Sequence, residues 1–233
     1  FKQKTAYEIG VRLVGSEMCI RDRPAIRYLY NKLLNNCSDS FVKLFHEALE
    51  VQDKSILQLE NHTLDTAILK QITYEKGGIS TFLFRLVLEN SLVKNEEKAI
   101  YELGYLIQLI NDMFDIHKDY LNKQQTLFTN AMSLKPCFNE YKNTLDNVIT
   151  NFMSLDYDHS NSIKALSKIS TITSRAQVCI EQLLACEKST QGSFKIEFYE
   201  RKQLICDMDT IKNIFKSYRF SVTFYKQLLK LNP

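Results

Sequence analysis

The sequence predicts an all-α fold, a helical bundle, and three observations carry that expectation. Only 6 glycines and 3 prolines occur in 233 residues, against about 12% of the two together in average usage. From Ala25 onward, apolar side chains recur at helical rather than alternating spacing in nearly every segment. No repeat period, low-complexity tract or linker interrupts them, so residues 24–233 read as one domain.

Helices are expected, in order, over about 25–35, 40–58, 63–76, 79–91, 96–121, 136–154, 161–187, 194–207 and 210–230. Asp39 and Ser160 have the side chains of N-caps, and Pro136 suits a first turn. Asn90 and Asn95 bracket a short turn. Asp156-Tyr-Asp-His-Ser-Asn161 reads as a polar loop, and Ser189–Ser193, with Gly192, as another.

Composition excludes several classes. Apolar residues at 45% and charged residues at 24% suit a chain that fills a core, and the scarcity of breakers argues against sandwiches, barrels and collagen-like chains. A net charge of +3, evenly spread, does not predict nucleic-acid binding. No uncharged apolar run is long enough to predict a membrane span. The six cysteines form neither a CxxC pair nor a zinc-finger spacing, and read as reduced, helix-packing thiols of a cytoplasmic protein.

The segment Arg12-Leu-Val-Gly-Ser-Glu-Met-Cys-Ile-Arg-Asp-Arg23 has no secondary-structure periodicity. It resembles, residue for residue, one reading frame of the transposase adapter used to prepare sequencing libraries. Residues 1–23 are therefore set apart from fold reasoning, and the natural sequence is expected to start near Pro24 without its true N-terminus. Residues 1–23 carry five basic and three acidic side chains, so the remainder stands near +1.

The chemistry concentrates in Tyr101–Asp119. On a wheel of about 100° per residue, Asn111, Gly104, Asp115, Gln108, Asp119 and Asp112 share one arc of about 100°. The rest is mostly Leu, Ile, Met, Phe and Tyr, which predicts a buried helix. Three carboxylates on a buried stripe repel one another and are costly to desolvate, and no basic residue lies within the stripe. A divalent cation would neutralise them. Asn111, Asp115 and Asp119, at i, i+4 and i+8, offer hard oxygen ligands of the kind Mg2+, or Mn2+ in its place, takes alongside substrate phosphates. A solvated polar face is the alternative. Upstream, Tyr74-Glu-Lys-Gly77-Gly78-Ile-Ser80 places paired glycines in a helical pattern. Each costs about 1 kcal/mol relative to alanine, which predicts a break or kink where a ligand approaches, or a simple turn. Gly104 likewise removes a side chain where a substrate could approach.

Gln108-x-x-Asn111-Asp112-x-x-Asp115-x-x-x-Asp119 resembles the second metal-binding motif of class I isoprenoid (terpenoid) synthases. Lys123-Gln-Gln-Thr126-Leu127 is similar to the Gly-x-x-Thr-Leu that often closes that motif, with lysine in place of glycine. Tyr74 with Gly77 and Gly78 resembles the kinked, pocket-lining helix of squalene and phytoene synthase relatives. Glu200–Asp209 looks like the corresponding run of bacterial class 1 isoprenoid biosynthesis enzymes. The resemblance covers Tyr74 to Asp209.

It implies an isoprenoid-synthase type of bundle and a Mg-dependent enzyme that ionises a polyprenyl diphosphate, for terpene cyclisation or for prenyl transfer and coupling. Carried onto this sequence, Asn111, Asp115 and Asp119 are the catalytic metal ligands. Gln108, Asp112, Tyr74, Gly77, Gly78, Arg85 and Gly104 are substrate-binding. Lys76, Lys118 and Lys123 are further candidates for diphosphate, and Tyr101, Tyr105, Phe82 and Phe84 for steering a cation. The family's first Asp-rich motif is not found before Gly77. The expectation is a chain truncated at its front and inactive alone, with an inactive paralogue as the alternative. Other readings are a non-catalytic helical interaction protein that retains the fold, and a carboxylate-bridged metalloprotein. No nucleic-acid partner or transmembrane segment is expected. Peripheral membrane contact and oligomeric state are left open.

Overall fold

In the computed structural model, Tyr28, Asn31, Lys32 and residues 38–59, 62–88 and 90–231 are described. The adapter-like segment, Cys19, Cys37 and most of the helix expected over 25–35 lie outside them. Eight α-helices are described, with no strand among the described residues.

Contacts divide the chain into two units, Phe1–Leu57 and Gln58–Pro233. The first holds α1, Asp39–Lys54, whose N-cap is Ser38 rather than the expected Asp39. The Phe41 N–H donates to the Ser38 hydroxyl.

The second unit is built around α3, Glu96–Phe114. Its Ala99, Leu106, Leu109 and Met113 are completely buried, as an apolar arc of that width requires. Three helices pack against it: α2 (Thr66–Leu86), α5 (Leu134–Met153) and α6 (His159–Ser189). The short α4, Ile116–Leu121, follows α3, and α7 (Arg201–Leu204) and α8 (Ile211–Leu229) pack on α6. The α6–α8 contact carries two hydroxyl pairs, Ser170 with Ser221 at 2.9 Å and Ser174 with Ser217 at 3.0 Å. Such small side chains let two helices approach closely.

Several expectations are corrected. The helices expected over 63–76 and 79–91 are one, because α2 runs unbroken through Gly77 and Gly78. The helix expected over 96–121 is two, separated at Asp115 (φ −88°, ψ 4°). The helix expected over 194–207 is only a 3-10 turn at Ile196–Phe198 and the single turn of α7. The α6 cap is Asp158, not Ser160, and its carboxylate accepts from the Asn161 N–H. The helix expected over 40–58 ends at Lys54 and is followed by a 3-10 turn over Ser55–Leu59, whereas those expected over 136–154, 161–187 and 210–230 start and end within about two or three residues of their bounds. The described cysteines, Cys137, Cys179, Cys186 and Cys206, are all buried and free.

Candidate functional site

The stripe of α3 and α4 begins at Gly104, whose surroundings explain the glycines. A Cβ built on Gly77 would come within 2.7 Å of the Gly104 carbonyl carbon and 2.9 Å of Gln108 Cβ. One built on Gly104 would stand 2.7 Å from the Gly78 nitrogen. Two of these three are backbone atoms and the third is the Cβ next to the backbone, so none can swing aside. Gly77 and Gly104 therefore let α2 and α3 cross backbone to backbone, and the propensity cost of glycine is offset by that contact. Gly78 makes room for the Tyr101 ring, whose Cγ would be 2.9 Å from a Cβ there. The expected kink and ligand approach at Gly77, Gly78 and Gly104 are thus replaced by a helix crossing.

Around that crossing, aromatic rings gather. Tyr74 lies 5.9 Å from Tyr101 and 5.5 Å from Tyr105, centroid to centroid, and Phe82 lies 5.7 Å from Tyr101. Phe84, by contrast, is exposed, which removes it from any enclosed site. The Tyr105 hydroxyl donates to Glu140 of α5 at 2.9 Å, and Lys70 pairs with the same carboxylate. Burial, then the Glu140 carboxylate, pushes the Tyr105 phenol well up, so it stays a protonated donor.

Arg85 does not face the stripe. Its guanidinium pairs with Glu96 at the start of α3 and also donates to the carbonyls of Asn90 and Ser91. Glu96 accepts in addition from the Val93 N–H and the Tyr157 hydroxyl. Burial alone would raise the Glu96 pKa, but these donors outweigh it and hold the carboxylate below its ordinary value. Arg85 closes the α2–α3 turn and is spent there. The sequence reading missed this pair because Glu96, Asn90 and Tyr157 reach Arg85 through loops and a separate helix.

Along the stripe, the structure sorts the polar residues into two edges. Asn111 is exposed, and Asp115, half-buried, accepts from Lys118 at 2.7 Å. Asp112 and Asp119 are buried. Gln108 donates its amide to Asp112 at 2.7 Å. Burial raises the Asp112 pKa to about 6, with the Asp115 charge adding to it, while Gln108 and Lys76 act against it. Burial raises Asp119 to about 7, reinforced by the charges of Asp112 and Asp115 and only partly offset by Lys118 and Lys76. Lys76, half-buried on α2, is the cation that the stripe itself lacks. Its contribution was invisible in the Tyr101–Asp119 pattern because it arrives through the α2–α3 pairing.

The chain turns sharply just past Asp119. Lys123 has φ +56°, a left-handed conformation. The Gln124 N–H donates to the Asp119 carbonyl at 2.8 Å and the Lys123 N–H to that of Tyr120 at 3.1 Å. This pairing is the Schellman termination that glycine ordinarily occupies. Thr126, fully buried, then locks the following turn through Thr129. Position 123 is the one where the resembling motif carries glycine.

Compared with protein-family models, curated proteins and solved structures, the chain matches none.

The donor set has limits. No group of three His, Cys, Asp or Glu side chains among the described residues is arranged to hold a metal ion. What the stripe does offer is two buried carboxylates, Asp112 and Asp119, whose proton affinity is raised. Two cavities lie elsewhere. One of about 430 Å³ is lined by α5, α6 and α8, with Phe138, Leu145, Phe220 and Phe224 among its walls. The other, of about 350 Å³, holds Lys70, Cys137 and Glu140. Neither is lined by a residue of the carboxylate stripe, and the charge pattern, not cavity volume, marks the site.

Proposed function

We propose that this chain is a class I isoprenoid synthase-like protein that uses the α3–α4 carboxylates to bind Mg2+ together with the diphosphate of a polyprenyl substrate. The observation that carries the reading is the burial of Asp112 and Asp119 with too little positive charge around them. The glycine-type turn at Lys123, placed where the resembling motif ends, supports it. A non-catalytic helical protein that retains the fold is the second reading. The packing role of Gly77 and Gly104 and the engagement of Arg85 favour that reading over a site built from those residues.

Asp112 and Asp119 would hold the ion, with Asp115 joining them if Lys118 released it. Mg2+ supplies charge neutralisation to a diphosphate leaving group. Gln108 orients Asp112 through its amide bond. Lys76 and Lys118 place two positive charges at the stripe, suited to phosphate oxygens. The Tyr74, Tyr101, Tyr105 and Phe82 rings form an apolar wall between α2 and α3.

The test is thermal unfolding of the chain with Mg2+, with inorganic diphosphate, and with both. The reading expects a stabilisation that needs both and is lost in Asp119→Asn and in Asp112→Asn. A melting curve indifferent to the combination would leave the helical-protein reading standing.

A further inference from the structure

The last helix has two apolar faces, and only one of them is used. In α8, Ser217, Ser221, Phe220, Phe224 and Leu228 turn toward α6 and the neighbouring cavity. On a wheel of about 100° per residue, Ile211, Ile214, Phe215, Tyr218, Tyr225 and Leu229 fall on the adjoining arc, itself about 100° wide and turned away from α6. They stand in solvent: Ile211 is 74% exposed, Phe215 71% and Tyr218 68%. A helix packed on a single side has no folding reason to carry this second stripe.

Charge identifies what it meets. Between Thr210 and Leu231 the chain has five basic side chains, Lys212, Lys216, Arg219, Lys226 and Lys230, and no acidic one. On the same wheel all five lie along one flank of the exposed apolar arc. Only Lys216 is held by an ion pair among the described residues, to Glu181 at 2.8 Å. Lys212, Arg219, Lys226 and Lys230 are exposed. A second copy of this face would bring like charge against like charge. Aliphatic and aromatic side chains bordered by lysine and arginine instead match an interface that is apolar below and anionic above. Tyr218 and Tyr225 have the amphipathic rings that settle at such a boundary. No helix among the described residues is long and apolar enough to cross a membrane, so the geometry is that of a helix lying on the surface.

We propose that the outer face of α8 docks the protein on an anionic lipid surface, with Ile211, Phe215 and Tyr218 inserted among the acyl chains and the basic flank at the headgroups. This surface is separate from the carboxylate stripe and does not depend on it.

Co-sedimentation of the full chain with vesicles tests it. Equimolar phosphatidylcholine–phosphatidylserine vesicles should pull the protein down and phosphatidylcholine vesicles should not, with high salt releasing it. Each basic side chain removed should weaken partitioning about fivefold. The charge-reversed pair Lys212→Glu with Arg219→Glu should therefore lose it by more than tenfold. Phe215→Ser with Tyr218→Ser should lose it as well, without lowering the melting temperature, because both rings are exposed. Failure to bind the anionic vesicles, equal binding to both compositions, or binding untouched by either pair of substitutions would overturn the proposal. So would a dimer, seen by analytical ultracentrifugation, that the Phe215 and Tyr218 substitutions dissociate in the absence of any vesicle binding.

Discussion

Asp119→Asn exposes the tension between stability and function at the stripe. In the folded chain the Asp119 pKa stands near 7, against an ordinary value of 3.8. Between those two values the folded chain keeps a proton that the unfolded chain has released. Stability therefore falls as pH rises through that window, and the cost is complete above the folded value. Three units correspond to a ceiling of about 4 kcal/mol. Asparagine removes the charge but still buries an amide, which costs about 1–3 kcal/mol where it finds no partner. The expected net gain above pH 7 is about 1–2 kcal/mol, or about 2–8 °C in melting temperature for a chain of this length. Near pH 3, where Asp119 is mostly protonated in both states, the gain should vanish. Thermal unfolding followed by circular dichroism from pH 3 to pH 8, without divalent cations, reads the difference. Adding Mg2+ with diphosphate at pH 8 should then raise wild type and leave the variant behind. A difference between the two proteins that does not change with pH would refute the account of a buried, under-compensated carboxylate.

Further substitutions at four positions, Gly77, Arg85, Gly104 and Lys123, probe the frame that holds the stripe. Gly104→Ala, and likewise Gly77→Ala, should destabilise by about 3 kcal/mol through overpacking at the helix crossing. On helix propensity alone alanine would stabilise by about 1 kcal/mol, so the sign in urea unfolding decides whether the backbones meet there. Arg85→Met should cost about 3 kcal/mol, because the buried Glu96 would lose its counter-charge and keep only the Val93 N–H and the Tyr157 hydroxyl. Pairing it with Glu96→Leu should recover much of that loss, which a double-mutant cycle in denaturant measures. Lys123→Gly should stabilise by about 0.5–1 kcal/mol, since glycine takes the left-handed position without side-chain strain. Unchanged or lower stability in that variant would count against the Schellman turn.

The residues divide sharply by how far away their explanation lies. That this stretch is buried was legible from Tyr101–Asp119 alone, because an apolar arc of two thirds of a circumference has few other uses. The carboxylate stripe was legible too, but its division was not. A wheel spaces residues evenly around a straight helix, whereas the real axis is interrupted at Asp115 and one edge is pressed into the core. Asp112 and Asp119 lie on that edge and Asn111 on the open one, so burial shifts weight from the expected triad toward Asp112. Arg85 was preferred over Lys76 as the basic residue for a diphosphate, yet Lys76 adds its charge to the stripe and Arg85 closes a turn. The sorting comes from Glu96, Asn90 and Tyr157, none of which the local pattern connects to Arg85.

Gly77 and Gly104 make the physical reason plain. A glycine that admits a ligand and a glycine that admits another backbone carry the same local signature: a helix-forming stretch with one side chain missing. The distinguishing fact is what occupies the space, and here each occupies it for the other, 27 positions apart in the chain. The same logic separates the two faces of α8. Its inner stripe is explained by Ser170 and Ser174 of α6. Its outer stripe has no such partner among the described residues of the chain, while its basic flank states the anionic charge that a partner would need. A side chain's pattern states what must be buried or neutralised, and only the opposing surface states by what.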